Sequence, residues 1–308
     1  MLTPAIASQK TLKAPIHCTG IGLHSGIKAA LTLRPAPVDT GIVFRRLDGV
    51  GGPVEIAAHW SNALESPLCT TLTDGRRTTI LTIEHLMAAL AGCGIDNCLV
   101  EIIGPEVPIM DGSSAPFVFL IECAGAVDQQ IPRRAIKVLK PVTVGDDRAW
   151  TSIEPDDLFS IDFEIDFPSK AIARQTASVV VDPVSFKHEI SRARTFGFLK
   201  DLDALRANGR ALGGSLDNAV VVDGDTVMNS DGLRYADEFV RHKVLDAVGD
   251  LYLAGGPLLG RFRGSRSSHA LNRRLLEVLF ADEDAWTMTS LANTPFRHWR
   301  EPARALSA

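Results

Sequence analysis

Short apolar runs separated by turn residues fill the first 130 positions of the chain. Ala29–Leu33, Gly41–Phe44 and Cys98–Ile103 read as strands, bounded by Pro35, Pro37, Gly49–Pro53 and Gly104–Pro105. One segment breaks this pattern. Thr82-Ile83-Glu84-His85-Leu86-Met87-Ala88-Ala89-Leu90-Ala91-Gly92 opens on a cap-type threonine, runs through strong helix formers and closes on glycine, which predicts a single helix. A second helix is predicted to start near Pro116. Val127–Arg134 is polar, carries Pro132 and reads as a linker, after which strands resume at Ala135–Leu139 and Phe159–Phe167. From Tyr235 to Leu253 the apolar positions Phe239, Val240, Val244, Val248 and Leu251 recur at the helical period, until Gly255-Gly256-Pro257 stops them. A glycine- and serine-rich loop is expected at Gly264–Ser268 and a last helix at Asn272–Ala281. Each half thus runs strands first and helices afterwards, which points to an α+β fold in two domains, residues 1–130 and 131–308.

Composition narrows what such a chain can do. With 308 residues, 45% of them hydrophobic and 22% charged, it can bury a sizeable core and exceeds the usual single-core size. A net charge of −5 argues against general nucleic-acid binding, which depends on phosphate neutralisation. The five cysteines, Cys18, Cys69, Cys93, Cys98 and Cys123, contain no CxxC pair and fit neither a disulfide framework nor a four-thiolate zinc site. Met1–Gly20 lacks the features of a secretory signal, and no stretch approaches the roughly 18 apolar residues of a membrane span. The expected location is the cytoplasm, with no transmembrane segment.

Candidate chemistry gathers on the two main helices. His242 and Asp246 stand four apart, so both project from one helix face, and Asp250 continues the stripe. A salt bridge or solvated face would explain them, but the helix is otherwise apolar enough to be buried, where charges need a partner or a metal. Glu84 and His85 diverge by about 100° on their helix, so one could bind a metal while the other reaches a water; the alternative is a carboxylate complementing a helix N-terminus beside a core histidine. Together His85, His242 and Asp246 would supply two nitrogens and one oxygen, a pattern that leaves a zinc position open for water. His269 lies at a loop-to-helix junction, where local capping is the alternative reading. Pro108–Ser113 has the chemistry of a tight turn. Ser191–Phe198 reads as an exposed strand edge or as a wall that binds anions and rings. Gly213-Gly214-Ser215 matches neither a dinucleotide fingerprint nor a Walker A sequence, which excludes nucleotide hydrolysis.

Five ordered segments carry a resemblance. Gly20-Ile21-Gly22-Leu23-His24-Ser25-Gly26, Thr82–Leu90, Pro108-Ile109-Met110-Asp111-Gly112-Ser113, Ala193-Arg194-Thr195-Phe196-Gly197 and His242–Asp250 closely resemble the UDP-3-O-acyl-N-acetylglucosamine deacetylases, over roughly residues 10 to 280. The resemblance implies two similarly folded domains, each a β-sheet packed on helices, with the helices sandwiched between the two sheets. It implies a zinc-dependent amide hydrolase that removes acetate from UDP-3-O-(3-hydroxyacyl)-N-acetylglucosamine by a zinc-bound water, an early step of lipid A biosynthesis in the cytoplasm of Gram-negative bacteria. Carried over residue by residue, His85, His242 and Asp246 match the ligands of one catalytic Zn2+, and Glu84 matches the general base. Thr195 matches the threonine that stabilises the oxyanion, Lys243 a source of positive charge, His269 the general acid and Asp250 the carboxylate that orients it. The division of acid and base duty between Glu84 and His269 stays open.

For the substrate, a small UDP-linked acylated glucosamine, Phe196 and Phe198 match aromatics near the sugar and nucleotide. Arg266 stands where the family has a basic residue facing the diphosphate, and Cys69 matches a residue near the metal mouth. The family's acyl-chain insert is expected within Phe167–Val181. No oligomeric partner is implied, and a monomer is expected. One departure stands out: Ser268 replaces the glycine that usually precedes the catalytic histidine, at a cost of about 1 kcal/mol if that position needs positive φ. Against the deacetylase stand a binding protein that holds a UDP-lipid without turnover, a zinc hydrolase of another acylated sugar nucleotide, and an interaction scaffold, which would have no need of two ionisable helix faces.

Overall fold

The computed structural model describes residues 7–49, 51–66 and 68–291. Two sheets form the outer layers and four main helices lie between them: α1 (Glu84–Gly92), α2 (Ala115–Ala124), α3 (Glu238–Leu251) and α4 (His269–Ala281). Among the described residues no helix is long and apolar enough to cross a membrane.

The first sheet has five strands in the order Ile16–Ile21, Lys28–Pro35, Cys98–Ile103, Ile42–Arg46 and Val54–Ala57. Alternation sets its buried face. Ala29, Leu31 and Leu33 point inward from one strand, and Leu31 sits opposite Ile102 while Phe44 sits opposite Val100. The second sheet has seven strands centred on Leu258–Ser265, which pairs with Trp150–Glu154, Arg134–Val138 and Phe159–Asp166. Helix α2 lies on the first sheet; α3 and α4 lie on the second. Helices α1 and α3 meet in the middle, both almost wholly buried. The fold is therefore α+β, with two sheet-on-helix halves joined through their helices.

Several expectations need correction. Val127–Arg134 is not a linker: Ala126–Pro132 is a strand that pairs antiparallel with Ser8–Leu12, a partner too distant in sequence to be foreseen. Thr82 does not cap α1. It takes a left-handed backbone (φ 57°) and donates its hydroxyl to Glu106, while Ile83 occupies the cap position without a side-chain bond. The last helix begins at His269, three residues before the expected start, and Gly264 and Ser265 belong to a strand. Ser268 is its N-cap at φ −139°, with its hydroxyl accepting from the Leu271 N–H, so serine suits this position and the feared strain is absent. Phe167–Val181 is the turn and return strand of a hairpin in the second sheet. The excursion out of that sheet is instead Phe196–Val227, which holds the small sheet of Phe196–Phe198, Val220–Asp223 and Thr226–Val227 together with the short helix Leu202–Ala207.

Candidate active site

The site is built where α1 crosses α3. An added β-carbon at Gly249 would stand 2.0 Å from the carbonyl oxygen of Glu84, so the two helices touch backbone to backbone. That approach brings Glu84 and His85 on α1 beside His242, Asp246 and Asp250 on α3, and all five are at most 3% exposed.

The ligating atoms of His85, His242 and Asp246 all lie within 4.8 Å of one another. His85 Nε2 is 3.6 Å and His242 Nε2 3.3 Å from Asp246 Oδ1, and the two rings meet edge to face at 5.0 Å. His242 Nδ1 faces the Ala193 carbonyl at 3.0 Å, which fixes the ring and leaves Nε2 turned inward. Asp246 Oδ1 is buried with no hydrogen-bond partner although two imidazole nitrogens face it. A buried carboxylate oxygen without a donor is costly, and two imidazoles around it form the donor set of a divalent metal. These three residues can therefore hold a metal ion.

Electrostatics agree. Burial pushes the His242 imidazole down to about 4, against the pull of Asp246, so at neutral pH it carries a lone pair fit for ligation. Burial disfavours the Asp246 carboxylate, but His242 and Lys243 outweigh it and hold the group well below the usual carboxylate range. Lys243 donates to Asp246 Oδ2 at 2.7 Å. Its own burial favours the neutral amine, yet that carboxylate raises it and keeps it cationic.

A second cluster flanks the first. His269 Nδ1 faces Asp250 Oδ2 at 2.8 Å, while its Nε2 points toward Glu84 Oε1 at 3.8 Å and Asp246 Oδ2 at 3.9 Å. Burial lowers the imidazole, but Asp250 and Glu84 overcome it and push the group up to about 10, so the ring is an imidazolium at neutral pH. Burial also lifts Glu84 to about 7, with the neighbouring His269 pulling the other way. A proton acceptor and a proton donor thus face the same small volume as the ligand set.

Two members of this cluster escaped the sequence reading. Thr70 donates its N–H to Glu84 Oε2 at 3.0 Å and its hydroxyl to Asp250 Oδ1 at 2.5 Å. Asn272 donates to Asp250 Oδ2 at 2.8 Å and is held by Ser267. Asn272, one turn after His269 on the same helix, carried a detectable spacing; Thr70 carried none.

The remaining expected residues divide. Thr195 stands next to the Pro108–Ser113 turn, its N–H bonded to the Gly112 carbonyl at 2.8 Å. Gly112 takes φ 85°, and a β-carbon there would collide with the Asn218 carbonyl, so only glycine admits this approach. The Phe196 ring lies 6.2 Å from His242. Phe198 packs on Phe167 and lines a cavity of about 450 Å³ with Pro168, Lys200, Asp201 and Asp225. Cys69 is fully buried, its sulfur near the hydroxyls of Ser66 and Thr71. Arg266 is not drawn against the ligand set: its side chain is half exposed at φ 51° and ion-paired with Asp166.

Comparison with known proteins adds the family. The family described as UDP-3-O-acyl N-acetylglycosamine deacetylase matches residues 9–281. A protein named UDP-3-O-acyl-N-acetylglucosamine deacetylase from Thioalkalivibrio sulfidiphilus (strain HL-EbGR7) is 53% identical over 280 residues, 90% of this chain and 91% of the relative. Proteins of the same name from Pseudomonas entomophila (strain L48) and Idiomarina loihiensis (strain ATCC BAA-735 / DSM 15497 / L2-TR) are 53% identical over 280 residues and 49% over 297 residues. They cover 90% and 94% of this chain, and 92% and 97% of themselves.

Proposed function

The chain belongs to the UDP-3-O-acyl-N-acetylglucosamine deacetylase family, and on that premise we propose that it hydrolyses acetate from UDP-3-O-(3-hydroxyacyl)-N-acetylglucosamine with a zinc ion held by His85, His242 and Asp246. The observation that carries this reading is the buried donor set around the partnerless Asp246 Oδ1. Zinc bound there supplies Lewis acidity, which lowers the pKa of water toward about 7 and polarises a carbonyl.

The protein's own groups then do the proton work. Glu84 Oε1 takes a proton from the attacking water as that water's oxygen bonds to the amide carbon. The carbonyl π pair moves to oxygen, where the Thr195 hydroxyl and the Lys243 ammonium stabilise the charge. His269 Nε2–H passes its proton to the amine nitrogen as the C–N bond breaks, while Asp250 holds Nδ1–H and favours the imidazolium. The oxyanion pair re-forms the carbonyl as the C–N pair stays on nitrogen, and acetic acid leaves and gives its proton to solvent as acetate. The proton on Glu84 returns to His269 across the 3.8 Å gap, so both groups are reset.

Substrate contacts extend this reading. Phe196, beside His242, borders the sugar, Phe198 borders the nucleotide, and Arg266 meets the diphosphate, with Cys69 at the margin of the metal mouth. The acyl chain follows the excursion Phe196–Val227 where it meets the turn of the hairpin Phe167–Val181 at Phe167 and Pro168. Residues 1–130 and 131–308 act as two domains, the first bringing Glu84 and His85, the second His242, Asp246 and His269. Every group comes from one chain, so a monomer suffices. The reaction belongs to lipid A biosynthesis in the cytoplasm of a Gram-negative cell.

Acetate release from UDP-3-O-(3-hydroxymyristoyl)-N-acetylglucosamine, with metal content determined on the same sample, tests the proposal. The expected result is release that a chelator abolishes and about one equivalent of zinc restores. No release from fully metallated protein would overturn it in favour of another acylated sugar or of binding without turnover.

A further inference from the structure

We infer that Thr70 is a positioning residue that locks the proton acceptor and the proton donor of this site into one frame, an inference that rests on Glu84 and His269 filling those roles. Thr70 is 6% exposed, and the hydrogen bonds of its N–H and hydroxyl go to Glu84, Asp250 and His269 and not to a ligand of the proposed metal. Its backbone holds the start of α1 at two points: its N–H donates to Glu84 Oε2 at 3.0 Å, and its carbonyl accepts from the Ile83 N–H at 3.3 Å. The carboxylate of Glu84 is thereby pinned by one oxygen, and Oε1 is left turned toward His269.

The hydroxyl makes the longer link. It donates to Asp250 Oδ1 on α3 at 2.5 Å, a distance typical of a charge-assisted O–H bond to a carboxylate. A hydroxyl has one proton and two lone pairs, so once that proton is committed its oxygen can only accept. His269 Nδ1 lies 3.3 Å from the same oxygen and 2.8 Å from Asp250 Oδ2. Two acceptors therefore face Nδ1, and the ring must carry a proton there. That leaves Nε2 as the sole position of His269 that loses or gains a proton toward the reacting volume.

The consequence is directional. Asp250 has three donors, Thr70, His269 and Asn272, arranged so that the Thr70 hydroxyl alone occupies Oδ1. Without it the carboxylate can rotate about its Cβ–Cγ bond, and His269 loses the fixed acceptor that sets its ring plane. Because the Thr70 side chain hydrogen-bonds to Asp250 and His269 and to none of His85, His242 and Asp246, its hydroxyl serves the chemical step and not metal binding.

Thr70→Val removes the hydroxyl and keeps shape, N–H and carbonyl; Thr70→Ser keeps the hydroxyl. In the zinc-loaded protein, Thr70→Val should lower kcat about 10–100-fold, the loss of a hydrogen bond to a charged group, with KM and zinc affinity unchanged. Thr70→Ser should restore kcat to within about threefold. On protein labelled with 15N-histidine, solvent exchange of the His269 Nδ1 proton should be slow in wild type and Thr70→Ser and faster in Thr70→Val. Should Thr70→Val fail to fold, Thr70→Ala serves with the same expected signs. Unchanged kcat and exchange in the hydroxyl-free variant would overturn the inference, as would equal damage to KM and zinc affinity. If the wild type releases no acetate, the proposed function fails; the exchange of the Nδ1 proton still decides whether Thr70 holds the ring.

Discussion

Gly249 and Glu84 meet backbone to backbone: the α-carbon of the one faces the carbonyl of the other so closely that a methyl group would stand 2.0 Å from its oxygen. Glycine here decides the distance between the two helices that carry the candidate ligands. A substitution to alanine must push α1 and α3 apart, since the obstructing atoms are main chain and cannot rotate away. Gly249→Ala should cost about 1–3 kcal/mol in denaturant unfolding. It should also weaken zinc binding more than Gly→Ala at the exposed turn position Gly75, which meets nothing within 4 Å.

Removing a proposed ligand should separate metal loss from unfolding. His242→Ala takes away one of the two nitrogens, and zinc per chain in the purified variant should fall well below one. Circular dichroism should stay close to wild type. Full zinc content in His242→Ala would remove that residue from the ligand set.

Glu84 should behave in the opposite way. Glu84→Gln keeps the volume and the Thr70 N–H bond but gives up the proton acceptor, so zinc content should hold while kcat falls about 10²–10⁴-fold. Elemental analysis and steady-state turnover on one preparation check both halves of this expectation.

Arg266 offers a test of substrate contact. Its ion pair with Asp166 is about half exposed, so losing it should cost less than about 1 kcal/mol. Arg266→Ala should raise KM for the UDP substrate and leave a substrate without the diphosphate unaffected.

The buried pair of Glu238 and Arg194 sets an acid limit on stability. Glu238 is fully buried and accepts from Arg194 Nε at 2.8 Å, the Arg194 N–H at 3.0 Å and the Arg234 N–H at 2.6 Å. Burial would raise its pKa, but these donors prevail and hold it below the ordinary 4.5. A lowered folded value means that the stabilisation is complete above the unfolded value and drains away as pH falls through the folded one. Melting temperature should therefore drop below about pH 4.5, as expected from linkage. Glu238→Gln, which strands Arg194 without its counter-charge, should be less stable by about 3–5 kcal/mol at pH 7 and show a shallower acid limb.

Much of the framework was legible in the chain. Helical periodicity located α3 because Val240, Val244, Val248 and Leu251 must share one buried face whatever they pack against. An apolar run closed by Gly104-Pro105 located Cys98–Ile103 to the residue. His242, Asp246 and Asp250 could be set on one face of a helix by spacing alone, since 3.6 residues per turn is a property of the backbone. Where the reading failed, the cause was a distant partner. Ala126–Pro132 looked like a linker because nothing local reveals that Ser8–Leu12 will pair with it, and Thr82 looked like a cap because its real acceptor, Glu106, lies 24 residues away.

Local sequence thus determined which residues could be helical, which faces would be apolar and which side chains carried the right chemistry. The tertiary structure decided that His85 and His242, 157 positions apart, turn their nitrogens toward one carboxylate oxygen. It also decided that Thr70, 180 positions from Asp250, reaches it with a hydroxyl. Periodicity follows from bonds between neighbours, whereas the meeting of two helices depends on the volume of every side chain between them, and here on Gly249 having none.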